Sequence, residues 1–206
     1  MASTFQAVVI GVSTGGLQAL QKLLGQLPAD FPLPILIVQH VRPDAGSSLA
    51  KLLDERCALR VKEADEQDEI LPGTVYIAPP NYHLLVERAG FLSLSADPYV
   101  SFARPSIDVL FESAAEVFGP DLIGVVLTGA NFDGSRGLQA IKQQGGTAIV
   151  QDPADAEARQ MPQAAIAATA ATGVDYVVAL DGMAALLQKL APRRATLPHI
   201  TRGRNA

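Results

Sequence analysis

Val8-Val9-Ile10-Gly11-Val12-Ser13-Thr14-Gly15-Gly16 runs directly into Leu17-Gln18-Ala19-Leu20-Gln21-Lys22-Leu23-Leu24. The first residues are apolar and rich in β-branched side chains, which predicts a strand buried on both faces in a parallel sheet. The second half carries leucines at helical spacing. Ser13 therefore falls in the turn between a strand and the helix after it, beside the unpaired N–H groups of a helix N-terminus. The small residues of Gly11-Val12-Ser13-Thr14-Gly15 spell the G-x-S-x-G of a nucleophile elbow. Three readings stand level on this stretch alone: Ser13 caps the helix, Ser13 is a nucleophile, or the turn holds a phosphate. The dinucleotide fingerprint fails because Ser13 stands where the second glycine belongs, and no Lys-Ser or Lys-Thr pair follows to make a P-loop.

The chain has 206 residues, enough for one domain with a substantial core. Hydrophobic residues make up 49% and charged residues 18%, a soluble globular balance, and the net charge of −5 argues against nucleic acid or an anionic membrane as partner. Cys57 is the single cysteine, so there is no internal disulfide and no Cys/His cluster for zinc. It is expected to be a buried, inert thiol. No signal peptide precedes the first apolar run and no segment is long enough to cross a bilayer, so a cytoplasmic protein with no membrane insertion is expected. Residues 1–192 read as one domain. From Arg193 to residue 206 the chain turns basic and polar, a tail expected to be disordered.

Beyond the opening unit, Pro34 to His40 reads as a second buried strand, and Leu49 to Arg56 as a helix capped by Ser47 or Ser48. Two strand–helix units in succession imply a parallel sheet with right-handed crossovers. Arg60–Ala64 is short and alternating, and Thr74–Ala78 is a strand after the turn signal Leu71-Pro72-Gly73. His83–Glu87 and Phe91–Ser95, joined through Arg88-Ala89-Gly90, read as a β-hairpin. A helix starts near Pro105, strands cover Ile123–Gly129 and Thr147–Gln151, and an Ala-rich helix begins near Pro162. Val174–Val178 and Met183–Leu190 close the pattern. The fold class is α/β: a doubly wound, mostly parallel sheet flanked by helices, with an antiparallel hairpin insertion.

In such a sheet, functional groups collect beyond the carboxyl ends of the strands. A serine nucleophile needs a base, and the base needs a group to fix its tautomer. Of the three histidines, His199 lies in the tail and His83 opens a hairpin strand. His40 ends the strand after the first crossover, where it can neighbour Ser13. Spacing leaves two candidates for the acid, Asp133 and Asp152, with a lean toward Asp133, which could equally cap the helix after it. The order Ser…His…Asp differs from that of the α/β-hydrolases.

These residues carry a resemblance. Ile10-Gly11-Val12-Ser13-Thr14-Gly15-Gly16, Val38-Gln39-His40, Leu71-Pro72-Gly73 with Tyr76-Ile77-Ala78-Pro79, Arg104-Pro105-Ser106-Ile107-Asp108-Val109-Leu110-Phe111, Leu127-Thr128-Gly129 with Asp133-Gly134, and Met161-Pro162 together resemble the catalytic domain of CheB-type protein-glutamate methylesterases of bacterial chemotaxis. The resemblance implies a catalytic triad of Ser13, His40 and Asp133, setting Asp152 aside. It implies hydrolysis of glutamate methyl esters on the cytoplasmic bundle of chemoreceptors, with release of methanol, and deamidation of receptor glutamines. No metal or organic cofactor is required. Backbone N–H groups near Thr14, Gly15 and Ala130 are expected to hold the oxyanion, and Arg42 and Arg104 to contact substrate. For Arg104 the plainer alternative is pairing with a nearby carboxylate. Thr128-Gly129-Ala130-Asn131-Phe132 departs from the Thr-Gly-Met-Gly of many members. With the catalytic strand inside the first ten residues, no receiver domain is expected ahead of it, so activity should be constitutive or controlled by a separate regulatory polypeptide. The alternatives are a non-catalytic scaffold that has kept the fold, or a serine hydrolase of another ester or amide.

Overall fold

In a computed structural model of the chain, residues 5–40 and 48–191 are described. Arg42 and the tail from Arg193 lie outside them. Strand β1 (Ala7–Val12) is buried along its whole length. Its side chains split by the two-residue period of a strand: Val8, Ile10 and Val12 join one apolar cluster, Ala7 and Val9 the other. That two-faced burial is why the run is continuously hydrophobic rather than alternating. Helix α1 (Gly16–Leu24) follows and buries Ala19, Leu20, Leu23 and Leu24. Strand β2 (Ile35–Gln39) is parallel to β1, and helix α2 (Ser48–Asp54) leads to β3 (Arg60–Glu63) and β4 (Thr74–Ile77).

The hairpin β5 (His83–Val86) and β6 (Leu92–Ser95) stands apart as a two-stranded antiparallel sheet. Helix α3 (Ile107–Phe118) comes next and passes through a short 3-10 turn, Gly119–Asp121, into β7 (Leu122–Val126). The remaining elements are α4 (Ser135–Gln143), β8 (Thr147–Gln151), α5 (Gln160–Ala168), β9 (Tyr176–Val178) and α6 (Leu180–Leu190). The main sheet has seven strands in the order β3-β4-β2-β1-β7-β8-β9, all pairs parallel. Leu20 and Leu23 of α1, Leu53 of α2 and Leu187 of α6 pack on one face. Leu110 and Phe111 of α3, Leu138 and Ile141 of α4, and Leu84 of the hairpin pack on the other.

The expected architecture is present, with shifted ends. Helix α3 begins at Ile107, two residues beyond Pro105, with Ser106 extended at its N-cap position. The strand expected over Ile123–Gly129 stops at Val126: Leu127 still donates to Gly11 O of β1, but beyond it the chain turns away and Gly129 donates to Ala158 O. Cys57 is half-buried rather than buried, and burial, aided by the charge of Asp54, pushes its thiol up. The chain runs outward from β1 on one side through β2, then returns to β7 on the other side. The sheet's direction of winding therefore reverses between β1 and β7, where α/β proteins form a crevice.

Candidate active site

Ser13 follows β1, His40 follows β2, and Asp133 lies between β7 and α4. Neighbouring strands thus deliver all three to one end of the sheet. The backbone fixes them further: His40 N–H donates to Val12 O at 3.0 Å and Ser13 N–H to Thr128 O at 3.0 Å. Gln39 adds a clamp. Its Nε2 donates to Ser13 O at 3.0 Å and to His40 O at 2.9 Å, tying the two segments together. A β-carbon on Gly16 would lie 1.9 Å from Gln39 Oε1, so the clamp needs glycine there. Sequence reasoning did not assign Gln39 a role, since a carboxamide ending a strand carries no signature of what it will hold.

The reading of Ser13 as a helix cap fails. The residue at the N-cap position of α1 is Gly15, at φ 77°, a left-handed conformation suited to glycine, and no side chain caps the helix. Ser13 is left half-buried in the turn, opening into a cavity of about 390 Å³. His40, Tyr99, Ser101, Phe102, Arg104 and Asn131 are among its other lining residues.

Asp133 sits behind His40 with its side chain fully buried, and its Oδ2 is 2.8 Å from His40 Nε2. An ionised carboxylate only accepts, so Nε2 carries the hydrogen and Nδ1 is the acceptor nitrogen. Asp133 also accepts from Ile107 N–H at 2.7 Å, Asp108 N–H at 3.0 Å and Ser106 Oγ at 2.8 Å. Burial by itself would raise its carboxyl. The bond and charge of His40 and the two N–H groups at the head of α3 outweigh that and hold it below the ordinary aspartate range. Asp133 does not cap the helix after it. That role falls to Asp108, whose Oδ1 accepts from Gly134 N–H at 2.9 Å and Gly137 N–H at 2.8 Å. Burial pushes the Asp108 carboxyl up, and the charge of Asp133 adds to it, against the Gly137 N–H and Arg136. His83, 1% exposed, accepts from Ser106 N–H at 3.1 Å and so steadies the residue that binds Asp133.

The remaining acceptor on His40, Nδ1, has a partner that the sequence did not announce. Asn131 Nδ2 is 3.0 Å away. Asp152 takes no part in the site: its Oδ1 accepts from Ala154 N–H at 2.8 Å in a turn. Thr14 and Ala130 are exposed and Gly15 half-buried beside Ser13. Arg104 is bound to the carbonyls of Ala96 (2.7 Å) and Asp97 (3.0 Å) rather than to a carboxylate, and lies over the Tyr99 ring at 4.7 Å.

The fold and this grouping define an α/β protein with a serine, an imidazole and a buried carboxylate at a topological switch point. Residues 8–187 match the CheB methylesterase family, and the chain belongs to it. A relative from Leptospira interrogans, bearing a protein-glutamate methylesterase/protein-glutamine glutaminase name, is 50% identical over 186 residues, covering 90% of this chain and 95% of the relative. Protein-glutamate methylesterase/protein-glutamine glutaminase 2 of Methanosarcina mazei is 43% identical over 195 residues, and there the chain spans only 52% of the relative's length. The crystal structure of the Thermotoga maritima CheB methylesterase catalytic domain superposes with a TM-score of 0.86 at 37% identity, covering 91% of this chain and all of that one.

Proposed function

We propose that this chain is a protein-glutamate methylesterase that hydrolyses glutamate methyl esters on the cytoplasmic bundle of chemoreceptors, and that Ser13, His40 and Asp133 carry the reaction. Membership of the CheB methylesterase family supports the activity. The observation that carries the residue assignment is the 2.8 Å bond from His40 to a fully buried Asp133, with His40 and Ser13 lining one cavity. Ser13 attacks the ester carbonyl and its proton passes to His40 Nδ1, the nitrogen turned away from Asp133. Asp133 holds the tautomer and stabilises the imidazolium. Collapse of the tetrahedral intermediate returns the proton to the departing methoxide, and methanol leaves. Water then repeats the sequence on the acyl-enzyme. A glutamine amide meets the same groups, with ammonia as the leaving molecule.

Ser13 N–H is committed to Thr128 O, so the oxyanion's backbone donors are sought elsewhere: the N–H groups of Thr14 and Gly15 at the head of α1, and that of Ala130. Arg104, held by main-chain carbonyls on the cavity wall, is assigned to substrate contact, as is Arg42. Residues 1–192 form the catalytic domain in this reading, 193–206 a tail, and the receptor bundle as substrate sets its place of action in the cytoplasm. Among the described residues no helix is long and apolar enough to cross a membrane. The test is methanol release from methylated receptor fragments. Ser13→Ala is expected to lower kcat by about a thousandfold or more while the fold is retained. A folded Ser13→Ala protein with near-normal turnover overturns the assignment.

A further inference from the structure

Asn131 closes a ring of hydrogen bonds with the two residues behind the serine. Asp133 N–H donates to Asn131 Oδ1 at 3.1 Å. That bond orients the carboxamide and turns its Nδ2 toward His40 Nδ1, 3.0 Å away. His40 Nε2–H donates in turn to Asp133 Oδ2 at 2.8 Å. Every donor and acceptor in the ring is matched, provided that Nδ1 stays unprotonated.

Catalysis breaks that condition. Nδ1 has a single lone pair, so the Ser13 hydroxyl must replace Asn131 on it before the proton can move. When Ser13 then attacks, its O–H bond breaks and the proton goes to Nδ1, while the serine oxygen bonds to the carbonyl carbon and the carbonyl π pair moves onto oxygen. Nδ1 has become an N–H donor, so it can no longer accept from Asn131 and the carboxamide cannot return to it while the imidazolium lasts. At that moment a negative oxygen appears in the cavity that Asn131 lines with Ser13 and His40. The carboxamide is displaced from the imidazole just as a donor is needed on the oxyanion, in a site where such donors count most.

We propose that Asn131 is a catalytic residue with two stations. It donates to His40 Nδ1 in the resting enzyme and to the oxyanion in the tetrahedral intermediate; the Ser13 hydroxyl displaces it from Nδ1, and the proton transfer holds it at the second station. On collapse the proton leaves Nδ1 for the methoxide oxygen, the C–O bond breaks, and Nδ1 again accepts from Asn131. The hydrolytic half-reaction repeats the cycle with a proton from water. This inference rests on the reading of Ser13 as nucleophile and His40 as base.

The experiment compares Asn131→Ala and Asn131→Asp with the unsubstituted full chain on methylated receptor fragments, with Ser13→Ala alongside. Asn131→Ala is expected to lower kcat about a hundredfold and to leave KM little changed. Asn131→Asp keeps an acceptor for Asp133 N–H but has no N–H to give. It is expected to be at least as impaired, and to regain rate only toward higher pH, because its carboxylate favours a protonated His40. The other described ionisable groups around the ring are Asp133 at Nε2 with Asp108 behind it, and Arg104 and Tyr99 on the cavity wall. All four are the same in every variant. A residue that only holds the loop through Oδ1 gives the reverse order, with Asn131→Asp near normal and Asn131→Ala impaired, and that order overturns the proposal. So does a normal kcat in both variants when Ser13→Ala is inactive. An active Ser13→Ala protein instead overturns the nucleophile reading on which the proposal stands.

Discussion

Asp133 accepts more hydrogen bonds than orienting an imidazole requires. His40 takes one oxygen, yet two backbone N–H groups and the Ser106 hydroxyl also converge on the carboxylate. A buried charge is tolerable only with such partners. Asp133→Asn removes the charge and offers His40 an amide that favours the wrong tautomer, and kcat is expected to fall about ten-thousandfold. Asp152→Asn alters a turn that does not line the cavity, and the same turnover assay should find it near normal. Large loss at Asp152 with little at Asp133 would show that the acid was assigned to the wrong residue. Spacing could not separate the two, because both follow a strand of one sheet and both precede a turn. What separates them is a partner on another element, 93 residues away in His40.

Helices α3 and α4 exchange carboxylates. Asp133, just before α4, binds the head of α3, while Asp108, in the first turn of α3, binds the head of α4. Each supplies the acceptor that the other helix's N-terminus lacks. The Asp108 charge is less welcome than that of Asp133, since burial and Asp133 itself oppose it. Asp108→Asn keeps an oxygen for Gly134 and Gly137, and urea unfolding at neutral pH is expected to place it within about 1 kcal/mol of the unsubstituted protein. Asp108→Ala orphans two buried N–H groups and is expected to cost about 2–3 kcal/mol. Equal losses in both would show that the charge, and not the acceptor, matters. At this scale the sequence was informative about the elements and silent about the exchange. Val8 to Val12, Ile35 to Gln39 and Thr147 to Gln151 announce themselves by apolar runs of strand length, and Leu138 with Ile141 by helical spacing. The capping of one helix by a residue on another has no local pattern. Asp133 was legible as a helix cap, but the helix that it would cap was the wrong one. Asn131 was legible only as a departure from a motif.

Over the whole molecule, the reversal of winding between β1 and β7 gathers residues from three strand ends at one edge of the sheet. The same edge contributes to the response to acid. Asp133, held below the ordinary aspartate value of about 3.9, contributes stability that is fully present above that value and is lost as pH falls through its lowered one. Asp108, raised, acts in the opposite sense: its ionisation withdraws stability as pH rises through the range above the ordinary value. The gap in unfolding free energy between the unsubstituted protein and Asp133→Asn should therefore be widest near neutrality and narrow below about pH 4. A gap independent of pH in urea titrations would refute this account of Asp133.

The carboxylate exchange between α3 and α4 bears on how such a chain would change over generations. Ser13 forms part of a turn whose shape comes from glycine and main-chain bonds, and its hydroxyl is free to be lost without harm to the fold. Asp133 is a tie between two helices as well as a partner of His40. On the proposed assignment, a lineage that gave up ester hydrolysis would shed Ser13 early and keep Asp133 and Asp108 as a pair, because folding alone would go on selecting for them.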